Sequence, residues 1–241
     1  MNPQEALLTR IIDLFAERFN KHAVLRGGMV LRLLGCERLT NDVDYVFVPY
    51  NSKKDIVEDV VKTLQKIEGV KVSHALNSKC LRVVVSKEGV SAQVEIKTMM
   101  ELATQLLSTQ ELASQYGFPA RLVPVMDYAV ALSNKMAAWN ERRLIRDLYD
   151  IWFFLKIGVR PDEVTLKSRL ASTAYSKLVN KANRFQSTSV KDFFVFLNEA
   201  AQKLTEQEIS DELRDYLPPA ELPGLNMRFR AELAKLTDKF T

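Results

Sequence analysis

The sequence predicts an α+β protein, with a mixed sheet and flanking helices in its first half and an all-helical second half. Three observations predict this. Up to about residue 125, apolar residues at helical spacing mix with short β-branched runs. After about residue 126 the strand signal fades and only helical spacing remains. The 241 residues are 47% hydrophobic and 27% charged, with only eight Gly and eight Pro, so the chain can bury a core and be mostly regular structure. Two domains are therefore predicted, residues 1–125 and 126–241.

Leu7, Leu8, Ile11, Ile12, Phe15 and Phe19 recur at helical spacing, and Pro3 suits a first turn, so residues 3–20 read as a helix. A short strand follows at 23–25, then Gly27-Gly28, then a helix over 29–34 that Gly35 stops. Residues 43–48 are β-branched and aromatic and end at Pro49, which reads as a strand. Ile56, Val60, Leu64 and Ile67 mark a helix from about 53 to 67. Residues 70–74, 81–86 and 91–98 read as three more strands, with Gly89 in the turn between the last two. Asp127 suits the N-cap of a helix running to about 140. Further helices are predicted near 147–157, 162–172, 175–183, 190–204, 207–215 and 227–239, with Pro161, Pro218, Pro219 and Pro223 at the gaps.

Composition excludes several function classes. Cys36 and Cys80 are too few for a disulfide scaffold or a four-cysteine zinc site, and His22 and His74 argue against a histidine-based metal site. The net charge of +4 permits a polyanionic partner without demanding one. No apolar run approaches the ~18 residues of a membrane span, and no signal peptide is visible, so a reducing cytoplasm is the expected compartment.

The most informative stretch is Leu25-Arg26-Gly27-Gly28 followed by Asp42-Val43-Asp44. Asp42 and Asp44 lie at i and i+2 on a predicted strand, so both carboxylates leave one face and repel each other. A hard divalent cation, Mg²⁺ or Mn²⁺, relieves that repulsion. Glu95, in the alternating strand Gln93-Val94-Glu95-Ile96-Lys97, is the candidate for a third carboxylate. Two glycines between a strand and a helix let a ligand approach the backbone, and the following helix start points N–H groups at the gap. Arg32, one turn on, can add a charge there. A D-x-D pair alone is more often a solvated strand face, and a Gly-Gly pair is usually a turn. Their order, with a later acidic strand, points to phosphoryl or nucleotidyl transfer.

This arrangement resembles the DNA polymerase β-like nucleotidyltransferase superfamily: a Gly-Gly or Gly-Ser turn, a short helix, a D-x-D strand, then a later acidic strand residue. Glu95 fits that last position, where the superfamily more often shows Asp. Lys135, followed by Arg142-Arg143-Leu144-Ile145-Arg146-Asp147-Leu148-Tyr149-Asp150, narrows the resemblance to the nucleotidyltransferase AbiEii toxin family. The opening LRGGMVLRLL and TNDVDYVF are also similar to that family's start, and the resemblance covers about residues 20–155. It implies an α/β catalytic half and a helical half, metal-dependent nucleotide transfer from an NTP, and action on tRNA ends as a toxin paired with an antitoxin. By the same resemblance, Asp42, Asp44 and Glu95 bind metal, Gly27, Gly28, Arg32, Lys135 and Arg146 bind nucleotide, and Lys135 and Asp150 join the catalytic set. A small-molecule or protein acceptor, or an inactive binding protein on the same fold, is the alternative.

If the helix carrying this motif were unbroken, Lys135, Trp139, Arg142, Arg146 and Asp150 would share a face. If it breaks near residues 140–145, Lys135 and Asp150 can still converge between two packed helices. Asp147 or Asp150 can then position Lys135 or Arg146. An ordinary amphipathic helix with i,i+4 ion pairs is the plainer reading, with Leu148, Ile151, Trp152 and Leu155 on its buried side.

Residues 164–191 contain six basic residues and no acidic one: Lys167, Arg169, Lys177, Lys181, Arg184 and Lys191. Lys177, Lys181 and Arg184 form one helical stripe if the predicted helix holds. Such a stripe is the expected contact for an RNA backbone, gripped through phosphates and shape.

Overall fold

The computed structural model describes residues 2–172, 185 and 187–238. It has two compact units, residues 1–127 and 128–241. The predicted helix at 175–183 and the Lys177, Lys181, Arg184 stripe lie outside the described residues.

The first unit opens with α1 (Pro3–Phe19). Asn2 caps it by accepting from the backbone N–H groups of Gln4 and Glu5, two of the donors that a helix start leaves without an internal partner. Its buried stripe, including Leu8, Ile11, Ile12 and Phe15, lies at the predicted spacing. Seven strands form one sheet: β1 (Ala23–Arg26), β2 (Asp42–Phe47), β3 (Lys71–Leu76), β4 (Leu81–Lys87), β5 (Val90–Thr98), β6 (Thr104–Ser108) and β7 (Leu122–Met126). The order is β3-β4-β5-β2-β1-β7-β6. β2 pairs antiparallel with β1 and parallel with β5, and β7 runs parallel to β1, so the sheet is mixed. Short helices α2 (Gly28–Leu33), α3 (Val57–Leu64) and α4 (Gln110–Tyr116) connect the strands.

Alternation divides the sheet into two faces. Val43, Tyr45 and Phe47 of β2, Val94 and Ile96 of β5, and Val83 and Val85 of β4 are buried. Phe15 and Phe19 of α1 pack on this face, with ring centroids 4.8 Å from Tyr45 and 4.9 Å from Phe47. Burial pushes the Tyr45 phenol well above its ordinary range. The opposite face carries Asp42 and Asp44.

The sequence reading stops the sheet at Thr98, and the structure corrects this with β6 and β7. β7 contains Pro124, whose missing N–H argues against an inner strand, yet β7 sits between β1 and β6. β6 is short and at the edge, with Leu106 65% exposed, so its pattern carries little hydrophobic signal.

The second unit contains α5 (Tyr128–Arg142), α6 (Ile145–Lys156), α7 (Glu163–Ala171), α8 (Val190–Gln202), α9 (Glu206–Leu213) and α10 (Leu225–Asp238). α5 and α6 are separate helices, so the broken-helix alternative holds. Arg143 at the break adopts a left-handed φ of 57°. Its guanidinium lies 4.2 Å from the Trp139 ring centroid and 4.4 Å from that of Phe196. Burial lowers the Arg143 pKa to about 10. α6 is not amphipathic: from Asp147 to Leu155 every residue is buried, because α5, α9 and α10 all pack on it. Trp152 and Tyr149 of α6 both meet Phe229 of α10.

α7 begins at Asp162, whose carboxylate accepts from the Thr165 backbone N–H at 2.7 Å. Hydrogen bonds from Thr165 hold this carboxyl below its ordinary value. The cap's contribution is therefore complete above the ordinary aspartate pKa of ~3.9 and fades as pH falls through the lowered folded-state value. Asp162→Ala is expected to cost about 1 kcal/mol in urea unfolding at neutral pH, and the difference from wild type should shrink in acid.

Candidate active site

The site in the first unit is built where β1 ends and α2 begins. Gly27 has φ 77°, a region that favours glycine, and it caps α2. A Cβ placed on Gly27 would stand 2.2 Å from Asp44 Oδ2, so the carboxylate occupies the space that a side chain would fill. A Cβ on Gly28 would stand 2.8 Å from Thr40 Oγ1 and 3.2 Å from an Arg38 guanidinium nitrogen. Both glycines are therefore demanded by the close approach of functional groups. α2 has only six residues, so the turn offers backbone N–H groups more than a strong helix dipole.

Asp42 and Asp44 project from one face of β2. The Thr40 hydroxyl donates to Asp42 Oδ1 at 2.6 Å and fixes that carboxylate. Strand register brings Glu95 beside Asp44 and Gln93 beside Asp42. Glu95 Oε1 accepts from Arg82 at 2.9 Å and from Gln93 at 2.9 Å. Arg26, in register with Asp44, places a guanidinium nitrogen 3.8 Å from Asp44 Oδ1. A row of charges thus crosses β4, β5, β2 and β1: Arg82, Glu95, Asp44, Arg26.

The donor chemistry of Asp42 and Asp44 suits a hard divalent cation. The third carboxylate is not gathered with them, and among the described residues no group of three His, Cys, Asp or Glu stands close enough to hold a metal ion. Asp42 and Asp44 fit a metal in kind, with Glu95 drawn aside.

Arg32 does not serve the glycine turn as the sequence reading expects. Its guanidinium is taken by Glu5 at 2.7 Å and by the Cys36 carbonyl oxygen. Glu5 also accepts from the Tyr116 hydroxyl at 2.7 Å, and burial, with this pairing behind it, pushes the Tyr116 phenol up to about 12. The arginine that reaches the turn is the buried Arg38. Thr40, Arg38, Arg82 and Arg26 were all missed in the sequence. The signal available for Arg26 and Thr40 was adjacency to the two motifs.

In the second unit, Lys135 of α5 places Nζ 2.5 Å from Asp150 Oδ2 and 3.9 Å from Asp147 Oδ1, both on α6. Arg142 donates twice to Asp147, at 2.7 and 3.1 Å. Asp147 and Asp150 are each 1% exposed, and their two charges are balanced by Lys135 and Arg142. Arg146 is tied through its backbone N–H to Glu212 at 3.1 Å.

A family model for nucleotidyl transferase AbiEii toxins, of type IV toxin–antitoxin systems, matches residues 9–234. The chain belongs to the AbiEii nucleotidyltransferase toxin family. Membership implies an NTP substrate, and the type IV system implies an antitoxin partner. Among solved structures, MenT4, a nucleotidyltransferase toxin from Mycobacterium tuberculosis H37Rv, is 20% identical over 98% of this chain and 83% of its own, with a TM-score of 0.66. JHP933 from Helicobacter pylori is 12% identical over 98% of this chain and 91% of its own, with a TM-score of 0.56. These likenesses establish the α+β fold of the AbiEii chain. No curated protein matches it. Among the described residues, no helix is long and apolar enough to cross a membrane.

Proposed function

We propose that this toxin-family enzyme transfers a nucleotide from an NTP to a hydroxyl at the 3′ end of a tRNA, with Mg²⁺ or Mn²⁺ held by Asp42 and Asp44. The observation that carries the reading is the seating of the Asp44 carboxylate directly over the Gly27 turn. That seating sets a carboxylate suited to a hard cation against the backbone of the turn that precedes α2.

A bound divalent cation would supply Lewis-acid stabilisation of charge on the phosphoryl oxygens. The chain's own residues do the rest. Gly27 and Gly28 let Asp44, Thr40 and Arg38 close on the turn, and the Arg38 guanidinium there offsets the charge of the triphosphate. Thr40 holds Asp42 in orientation through its 2.6 Å bond. Glu95 accepts the proton of the acceptor hydroxyl as that oxygen attacks the α-phosphorus. The bond from the α-phosphorus to the bridging oxygen breaks, and pyrophosphate leaves. A phosphate-binding role for Lys135 rests on the family resemblance of its helix alone; within its own unit its Nζ is paired with Asp150 at 2.5 Å.

An RNA acceptor is supported by that resemblance and by the six basic residues without an acid at 164–191. The test is incubation with each labelled NTP, Mg²⁺ and total cellular RNA. Label is expected in a tRNA-sized band, removed by RNase and present with one favoured NTP. Label found only in protein or in a small molecule would overturn the RNA assignment.

A further inference from the structure

The charge row across the sheet holds more than the two aspartates. Reading from β4 to β1, its signs run plus, minus, minus, plus: Arg82, Glu95, Asp44, Arg26. The two carboxylates in the middle are register neighbours, and like charges so placed repel. Each is paired with an arginine on its outer side, at 2.9 Å for Arg82–Glu95 and 3.8 Å for Arg26–Asp44. Gln93 gives Glu95 a second donor, to the same oxygen that Arg82 holds. This explains why three carboxylates on one sheet face form no metal-sized group.

The Arg82–Glu95 pair is open to water: the Arg82 side chain is 49% exposed and that of Glu95 is 27% exposed. Pairs of such exposure are weak and exchange readily. A divalent cation carries twice the charge of a guanidinium and takes carboxylate oxygens at shorter range. It would therefore displace Arg82 where a monovalent side chain only waits.

We propose that Arg82 is a positioning residue that holds Glu95 away from Asp44 and competes with the divalent cation for it. The inference rests on the reading of Asp42 and Asp44 as the cation's ligands. In the cation-free enzyme Arg82 neutralises Glu95. When the cation is bound, Glu95 turns from Arg82 toward Asp44 and completes the carboxylate set. Arg82 thus sets how tightly the bare site takes a metal.

The test is Mn²⁺ titration of the full chain followed by electron paramagnetic resonance, with no NTP present. Arg82→Gln is expected to bind Mn²⁺ about three- to fivefold tighter than wild type, and Arg82→Lys to stay within about twofold of it. A merely structural role predicts the opposite sign, because a damaged site loses metal. Unchanged or weaker binding in Arg82→Gln with a native melting curve overturns the proposal. A second arm does not depend on that variant folding. Glu95→Gln in the wild-type background should weaken Mn²⁺ binding by about three- to fivefold, since Glu95 joins the cation's ligands once it leaves Arg82. Unchanged binding in Glu95→Gln would show that Glu95 does not reach the cation and would also overturn the proposal. Asp44→Asn separates the two readings: if it leaves Mn²⁺ binding intact, the aspartate site itself fails. If it abolishes binding while Arg82→Gln changes nothing, only the competition fails.

Discussion

Asp44→Ala is expected to reduce nucleotide transfer by at least about a thousandfold while the protein keeps its wild-type melting temperature within a few degrees. The size follows from losing a ligand to a cation that stabilises phosphoryl charge, an effect of about 4 kcal/mol or more, at ~1.4 kcal/mol per tenfold. The fold should survive because Asp44 lies on the polar face of β2, with its side chain 19% exposed, and removing it relieves its repulsion with Glu95. The measurement is steady incorporation of labelled nucleotide beside a thermal melt. Near wild-type transfer by a folded Asp44→Ala protein would remove the aspartate pair from the mechanism.

Lys135 and Asp150 should give the largest stability effect. Lys135→Met removes the 2.5 Å cationic partner of Asp150 and the 3.9 Å one of Asp147, both buried. Breaking a buried pair from one side costs about 3–5 kcal/mol. The lower end, about 3 kcal/mol, is expected because Lys135 is 21% exposed and water reaches its end of the pair. Asp150→Asn should cost about 2 kcal/mol, since Lys135 keeps Asp147 at 3.9 Å. The double variant removes both charges together, so its cost should fall short of the sum by about 1–2 kcal/mol. Urea unfolding of the four proteins measures this directly. Strict additivity would mean that the 2.5 Å contact carries no coupling.

The parts of this molecule legible in the sequence are those set by local pattern. The α1 stripe from Leu7 to Phe19, the β-branched run of β2 and the alternation of β5 each report burial on one face, and each is found where its pattern places it. β7 escaped because one residue, Pro124, contradicts its inner position, and single-residue rules weigh heavily in a five-residue strand. The candidate site was legible only along the chain. Glycines and aspartates announce themselves by adjacency, whereas Arg82 meets Glu95 only through the β4–β5 register, which no spacing rule encodes. Arg32 shows the converse. Its place one turn into α2 suggested a phosphate contact, but direction around a short helix depends on what packs beside it, and there α1 presents the buried Glu5. Asp147 and Asp150 read in the sequence as partners able to position Lys135 or Arg146, with an ordinary amphipathic helix as the plainer alternative. Burial of α6 on all sides made them an interior charge cluster instead.

The parallel pairing of β2 with β5 has a consequence for how such a toxin is made. Asp44 and Glu95 are neighbours in space, yet α3, β3 and β4 intervene between them in the chain. The antiparallel β1–β2 pair involves nearby segments and can form early as the polypeptide emerges, while the parallel pair must wait for a crossover and its loop-closure entropy. A ribosome-bound fragment ending before β5 therefore displays the glycine turn and both aspartates with no completed row of carboxylates. The row Arg82, Glu95, Asp44 and Arg26 is thus completed only when β5 docks beside β2, and β7 closes on the other side of β1 later still.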